Sequence, residues 1–462
     1  MHGNLGIAIE RQSVQIAHLG IDIARGAFEP QLGLSADHGT ADSPSVTLQQ
    51  GGAGWIVTTT SEDWTLSLSQ RLETGTKLEL DFQNGRSRST AGTTVEPLND
   101  RSTASVTVSQ PLLRGFSPDL VVPRIDVLRA EIASERERAQ LAVAAADVVE
   151  RTEDAYWDVV QALYRYDLQQ RSRQRAEDQL ALTHRQIDAG LLSPSDLIAA
   201  ESTLAQRKLQ LLQAEQDIEQ TSDRLRRVLN LPRDQWSRPI LPTEPPRFVP
   251  ETSRAEDMLE VAIKHRPELA QLDLDLRAQA LSVRKADNDK LPQIDVGVTA
   301  QLVGQDASYP GALDQLGRAD APGYSVFLNM TWTPLGRATS AAALAERARQ
   351  RIAALTRDQA VQDVWLAVRD AVRAQKSAAL QVTAAAQFRE LATRNLEAEQ
   401  RKFLSGTSSN FVVAQRQEEL ASAQLAELTA VLGYKKATAA LLRATGRLLE
   451  ERHIEIEVRP RP

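Results

Sequence analysis

Residues 4–230 repeat themselves, loosely but in order, at 266–446. Asn4-Leu5-Gly6-Ile7-Ala8 aligns with Arg266-Pro267-Glu268-Leu269-Ala270. The phase holds through Val14/Leu276, Ile21/Val283 and Ala24/Ala286 to Pro30-Gln31 against Pro292-Gln293. It resumes at Arg185-x4-Gly190 against Arg401-x4-Gly406, then Leu204-Ala205 against Leu420-Ala421. A duplication on this scale constrains the fold more than any motif does. Whatever supersecondary unit one copy builds is built twice, and the two must share one body.

Each copy reads as helix, strands, very long helix, glycine-containing tip and return helix. The first repeat, 1–230, divides into a helix at 4–28, a hairpin region at 31–110, a long helix at 122–187, a tip at 188–195 and a return helix at 194–229. The second, 255–446, divides into a helix at 255–290, a hairpin at 292–333, a long helix at 338–403, a tip at 404–409 and a return helix at 408–446. Gly and Pro are almost absent from the long helices, and apolar residues recur at three and four, as in Leu128, Ile132, Leu141, Ala145, Val148 and Val149. At 1.5 Å per residue each is about 100 Å long, so it must lie against others like it. A Pro-rich linker at 231–254 joins the copies, with Pro232, Pro239, Pro242, Pro245, Pro246 and Pro250, and a tail at 447–462 follows the second.

The strand regions alternate with period two. Leu66, Leu68 and Leu72 alternate with Ser67, Ser69 and Arg71; Leu78, Leu80 and Phe82 with Lys77, Glu79 and Asp81; Val106 and Val108 with Ser105, Thr107 and Ser109. In the second copy Ile294, Val296, Val298, Ala300 and Leu302 alternate with Asp295, Gly297, Thr299 and Gln301, and Val326, Leu328, Met330 and Trp332 follow less cleanly. One apolar and one polar face suits a strand between lipid and a wet lumen, and equally a half-exposed soluble sheet. The segments Gly85–Arg101 and Gly304–Gly323 are polar and rich in small residues, and are expected to be loops.

Composition removes several function classes. The 54 basic against 61 acidic side chains give no global field for nucleic acid. With no cysteine there is no disulfide, thiolate metal site or cysteine nucleophile. The six histidines are scattered without ligand spacing. No phosphate loop or nucleophile elbow is present, so neither a cofactor nor an enzymatic activity is expected. No run of about 18 apolar residues marks a transmembrane helix. The first residues, interrupted by His2, Glu10, Arg11 and Asp22, hold no apolar leader core. The chain is therefore expected to begin near a mature N-terminus or to have been read from a displaced start.

Three segments carry a resemblance: Gln110-Pro111-Leu112-Leu113-Arg114-Gly115-Phe116 after a strand; Asp188-Ala189-Gly190-Leu191-Leu192-Ser193-Pro194-Ser195-Asp196-Leu197 with Ala200-Glu201; and Arg401-Lys402-Phe403-Leu404-Ser405-Gly406. In order, spacing and duplication the chain resembles the TolC family of outer-membrane channel proteins over nearly its whole length. The resemblance implies a mainly α fold with β, in which internally duplicated antiparallel coiled coils and β-hairpins assemble as a homotrimeric α-barrel and β-barrel. It implies a passive exit duct of a tripartite efflux pump or type I secretion system, in the outer membrane and reaching into the periplasm. The partners it implies are outer-membrane lipid, a periplasmic adaptor and an inner-membrane transporter. A coiled-coil scaffold of the envelope that forms no pore is the competing reading.

The resemblance also assigns sites. The tips, Ala189, Gly190, Leu191 and Ser193 in the first copy and Ser405, Gly406 and Thr407 in the second, are where an adaptor would dock. Gly190 and Gly406 suit the left-handed turn that reverses a helix, and Ser193 and Ser408 or Ser409 suit caps of the helix that follows. Asp196 matches an acid near the closed mouth, where three copies would make a ring favouring cations, and Phe403 fits the constriction. The family's acid pair would fall on Val412 and Gln415, so no second ring is expected. Trp55, Trp64, Phe82, Tyr324, Phe327 and Trp332 are candidates for aromatic girdles. The family pattern is two strands per copy, twelve in a trimer. The hairpin region at 31–110 is about twice as long as that at 292–333, and the pair 64–72 and 76–83 around Thr74-Gly75 reads as an additional hairpin. It either adds strands to the barrel or packs elsewhere.

Overall fold

A computed structural model describes residues 3–44, 56–91, 94–95, 99–190, 193–251, 254–405, 407–408 and 410–456. They form two compact units. One comprises Met1–Gln15, Arg136–Asp273 and Leu355–Pro462, the other Ile16–Glu135 and Leu274–Ala354, and both copies of the repeat contribute to each.

The second unit holds the sheet. Its strands are β1 (Gln31–Pro44), β2 (Ile56–Arg71), β3 (Lys77–Ala91), β4 (Thr94–Val95), β5 (Asn99–Pro111), β6 (Gln293–Asp306) and β7 (Pro322–Thr331). Six long strands run antiparallel in the order β1-β2-β3-β5-β6-β7, and the short β4 pairs with β3. The pairing register stacks side chains into rows. Leu32, Leu68, Leu80, Val106, Ala300 and Tyr324 form one row, and Leu34, Leu66, Phe82, Ala104, Leu302 and Pro322 the next. Between them, on the opposite face, run Gly33, Ser67, Asp81, Ser105, Gln301 and Gly323. One face is thus an apolar belt and the other is hydroxyl-rich and wet.

The additional hairpin joins the sheet and does not pack elsewhere: the hairpin region at 31–110 contains four long strands, and the inserted pair β2–β3 lies inside the sheet. The strand region differs from expectation in two ways. The strands run further than their apolar alternation: β3 reaches Ala91 and β6 reaches Asp306, through segments expected to be loops. Beyond the belt both faces are polar, so the period of two loses its contrast while the hydrogen-bonded ladder continues. Finally, the β6–β7 connection contains a helix, α6 (Tyr309–Gly317), capped by the Ser308 hydroxyl, which accepts from Gly311 N at 3.3 Å. It packs on β6 at Gly304, where a Cβ would fall 1.9 Å from the Ala312 carbonyl oxygen. Pro310, Gly311 and Gly317 punctuate it so densely that no helical period shows.

Helices enter this unit through α1 (Leu5–Arg25), α2 (Ile125–Asp188), α5 (Pro267–Asn288) and α7 (Arg337–Leu404). At the end of α5, Asn288 is buried and ties the segment after β5. Its Oδ1 accepts from Gly115 N at 2.7 Å, and its amide donates to the Leu113 and Phe116 carbonyls at 3.1 and 3.0 Å. Gly115, at φ +82°, takes a left-handed turn that a Cβ would strain. Nearby, the Asp119 carboxylate accepts from Arg284 and from the Ser117 hydroxyl and is held at about 2.

The first unit is helical, with α3 (Pro194–Leu229), α4 (Ala255–His265), α8 (Asn410–Ala444) and α9 (Leu448–Glu451) beside parts of α1, α2, α5 and α7. Its core is a series of small clusters along the helices. Ile7, Val14 and Leu141 pack with Val148 and Ile456; Ala155, Val159 and Leu225 with Ile240; Ala378, Val382 and Tyr434 with Phe248. The linker is pinned by its own contacts: Glu251 N donates to the Tyr434 hydroxyl at 2.9 Å, and Phe248 stacks edge-on against the same ring. The helix expected over 255–290 is broken. Arg266 is extended and Pro267 starts α5, because proline lacks the N–H and disfavours helical geometry in the residue before it.

Charge pairs cross these helices. Arg443, mostly buried, reaches Asp147 on α2 at 2.7 Å and Glu268 on α5 at 2.8 Å. Glu150, one turn along α2, is raised by burial and by the neighbouring Asp154 carboxylate. A carboxyl raised in the fold is destabilising while ionised, and the cost vanishes as pH falls and it protonates. Glu150→Gln is therefore expected to raise the melting midpoint at pH 8, with the gain shrinking toward pH 4; Asp147→Asn, which strips Arg443 of a charged partner, should lower it. Asn288→Ala is expected to cost about 1–3 kcal/mol, the penalty of stranding partly buried backbone groups. Hydrogen exchange at residues 112–117 would localise that loss.

Candidate functional site

At the first tip, α2 ends at Asp188 and the chain reverses through Ala189 and Gly190, both exposed. Gly190 N donates to the Ile187 carbonyl at 2.8 Å, and Gly190 sits at φ +72°, with open space around it. Conformation, not packing, asks for glycine here. Ser193 caps α3: its hydroxyl accepts from Ser195 N at 3.4 Å, and Asp196 Oδ2 accepts from Ser193 N at 3.0 Å. That reciprocal arrangement satisfies donors at the start of α3 and is a capping box, with Pro194 in the first turn. The carboxylate of Asp196 thus has a structural job in its own tip. Leu191 lies outside the described residues.

The second tip is held differently. Ser405 N donates to the Arg401 carbonyl at 3.1 Å and Thr407 N to the Lys402 carbonyl at 2.9 Å, while both hydroxyls also donate to Lys402 O. The Ser408 hydroxyl donates to Glu399, and this bond and that from Lys402 hold the Glu399 carboxyl below its usual range. Gly406 and Ser409 lie outside the described residues. Phe403 falls in the last turn of α7, and its side chain is likewise outside the described set.

One link between the two copies, above the tips, has no signal in the sequence. Arg207 on α3 meets Glu418 on α8 in a bidentate pair, Nη2 to Oε2 at 2.8 Å and Nη1 to Oε1 at 3.1 Å. The Arg207 side chain is 18% exposed, well below a free surface arginine. Beside it lies a groove of about 330 Å³ lined by Ser172, Arg175, Thr203 and Ala414. Burial lowers the Arg175 guanidinium's pKa, and Glu418 opposes that. In the sequence Arg207 and Glu418 look like any solvated helix charges, and they do not occupy equivalent positions of the repeat.

The aromatic candidates separate by face. Trp64 and Phe82 share the belt face, their ring centroids 5.1 Å apart, and Tyr324 continues one belt row. Trp332, just after β7, is exposed. Phe327 lies on the wet face, its ring over Gly297, where it fills the space a Cβ would need. It takes no part in a girdle. Trp55 lies outside the described residues.

Among the described residues no helix is long and apolar enough to cross a membrane, and no cluster has metal-ligand geometry. Over residues 77–231 and 258–447 the chain matches the family model described as outer membrane efflux protein. It belongs to that family. Among solved structures it is similar in fold to the CmeC outer membrane channel of Campylobacter jejuni, with TM-score 0.69 and 14% identity over 96% of this chain and 83% of that one. VceC, an outer membrane protein of Vibrio cholerae, gives 0.67 and 15% over 96% and 93%. The open state of the MtrE outer membrane channel of Neisseria gonorrhoeae gives 0.64 and 16% over 97% and 87%. A search of curated sequences returned no relative.

This efflux protein is therefore an outer-membrane exit duct with a mainly α fold, its helical part in the periplasm, and the family is one of channels. A scaffold without a pore has no use for a belt of apolar side chains on a sheet. At the tip, Ser193→Ala and Asp196→Ala are each expected to cost about 1 kcal/mol of local stability by removing half of the capping box. Faster hydrogen exchange over residues 193–199, with the rest unchanged, would register it.

Proposed function

We propose that this efflux protein works as a homotrimer, passively, with a periplasmic adaptor docked at its tips and an inner-membrane transporter supplying the energy. The observation that carries the reading is the sheet: among the described residues the outer edges of β1 and β7 have no partner strand, while the apolar belt between them is exposed in the single chain. Unpaired backbone groups are not tolerated in lipid, so further chains must supply the missing pairs.

The docking surface in this reading is the pair of turns, Ala189, Gly190, Leu191 and Ser193 with Ser405, Gly406 and Thr407, of which Ala189, Gly190, Ser193, Ser405 and Thr407 are exposed. Their hydroxyls and exposed backbone offer hydrogen bonds more than apolar contact. The mouth is placed at Asp196 and Phe403, with three copies of Asp196 forming a ring about the axis. The Arg207–Glu418 pair fastens the return helix of one copy to that of the other, so it opposes the relative movement that opening needs.

Purified protein should form sodium dodecyl sulfate-resistant or cross-linkable trimers and conduct in planar bilayers. Recovery of the protein with its native leader as a soluble periplasmic species would overturn the reading. Arg207→Glu and Glu418→Arg are each expected to raise single-channel conductance or open time, and the double exchange to restore the closed level. An unchanged channel in both single variants would remove the pair from the gate.

A further inference from the structure

The inserted hairpin β2–β3 is built as barrel wall. β2 pairs with β1 along fourteen positions from Gln31↔Ser69 to Pro44↔Ile56, and β3 pairs with β5 from Lys77↔Ser109 to Ser87↔Asn99. Leu66 and Leu68 on β2, and Leu80 and Phe82 on β3, fall in the same rows as Leu32, Leu34, Val106 and Ala300. Their polar alternates Ser67, Ser69, Glu79 and Asp81 fall in the rows of the wet face. A hairpin folded over the lumen or outside the membrane would need no belt in register with its neighbours. The hairpin turn, where Leu72 N donates to Thr76 O at 2.8 Å and Gly75 takes φ +88°, packs beside Pro111 and Gly115 at the helix-proximal end. The turn thus lies level with the ends of the other strands.

We infer that each chain gives six strands to the membrane wall, so that three chains, joined β7 to β1, close one barrel of eighteen strands. This rests on the trimeric duct reading above. Barrel width grows in proportion to strand number, so the wall is about half as wide again as the twelve-stranded family pattern. With strands about 4.8 Å apart and tilted about 40°, that is roughly 36 Å between backbones instead of roughly 24 Å. The wet face is lined largely by serine and threonine, with acids such as Glu79 and Asp81 near Lys77 and Arg71. Such a wall is too wide, and its charges too evenly balanced, to select cargo. The size limit of this duct is placed at the helical mouth, and bulky cargo passes the outer membrane unhindered.

The absence of cysteine makes the test clean. Three double variants are oxidised in the membrane-assembled trimer: Leu34→Cys with Leu66→Cys, Phe82→Cys with Ala104→Cys, and Leu34→Cys with Ala104→Cys. The inference expects intrachain disulfides in the first two and none in the third. A disulfide in the third, with none in the first two, places β1 against β5 and overturns it. Polyethylene glycols added from the outer-membrane side should enter the channel up to a radius about 1.5 times that of a twelve-stranded barrel; exclusion at the smaller radius also overturns it. Those failures, seen in an intact trimer, leave the duct reading standing. Absence of any trimer and any conductance removes both.

Discussion

Everything in the sheet follows from the rule that backbone polar groups in lipid must be paired. A sheet of six long strands satisfies its interior through continuous antiparallel ladders, but among the described residues its two outer edges are unpaired. The belt residues Leu32 and Leu34 on one edge strand and Val326 and Leu328 on the other stand open within a single chain. A chain that carries lipid-facing side chains out to an unpaired edge is one segment of a wall. The strand number per chain then sets the width of the finished barrel, and through it which part of the duct limits what passes.

The helical unit obeys a different constraint. Helices of this length have too little apolar surface per turn for a thick core, so burial is spread over clusters such as that of Ile7, Val14 and Leu141. Between the clusters, cross-helix charge pairs fix the relative sliding of neighbours: Arg443 with Asp147 and Glu268, Lys436 with Asp158 at 2.5 Å, Arg207 with Glu418. Paired charges of this kind are worth little in net stability and a good deal in register. A structure whose helices must shift to open benefits from contacts that can be exchanged at small net cost, which a dense apolar core does not allow.

The two tips show how one fold accommodates divergence. The first closes through a glycine in left-handed geometry and a capping box; the second closes through hydroxyls folded back on the Lys402 carbonyl and through Ser408 on Glu399. Asp196 was legible as an acid at a helix start, but its bond to Ser193 N shows the carboxylate already occupied within its own helix. Phe327 was legible as an aromatic in a strand, yet its position one residue off the belt's phase puts it over Gly297 on the wet face. Both cases turn on geometry at the scale of a single residue.

By itself the sequence determined the duplication, the long helices and the alternation of the belt, because each is a periodic signal repeated over many residues and set by local physics. Pro267 carried its own message, a helix break that an unbroken reading of 255–290 passed over. The tertiary structure alone decided the rest: the place of β2–β3 in the sheet, the length of strands beyond the belt, the helix α6 on Gly304, and the contacts of Asn288 and Arg207. Where both faces of a strand are wet, the hydropathy period disappears although the ladder persists. A charge or amide acquires its role from a partner more than a hundred residues away, and no local pattern encodes that distance.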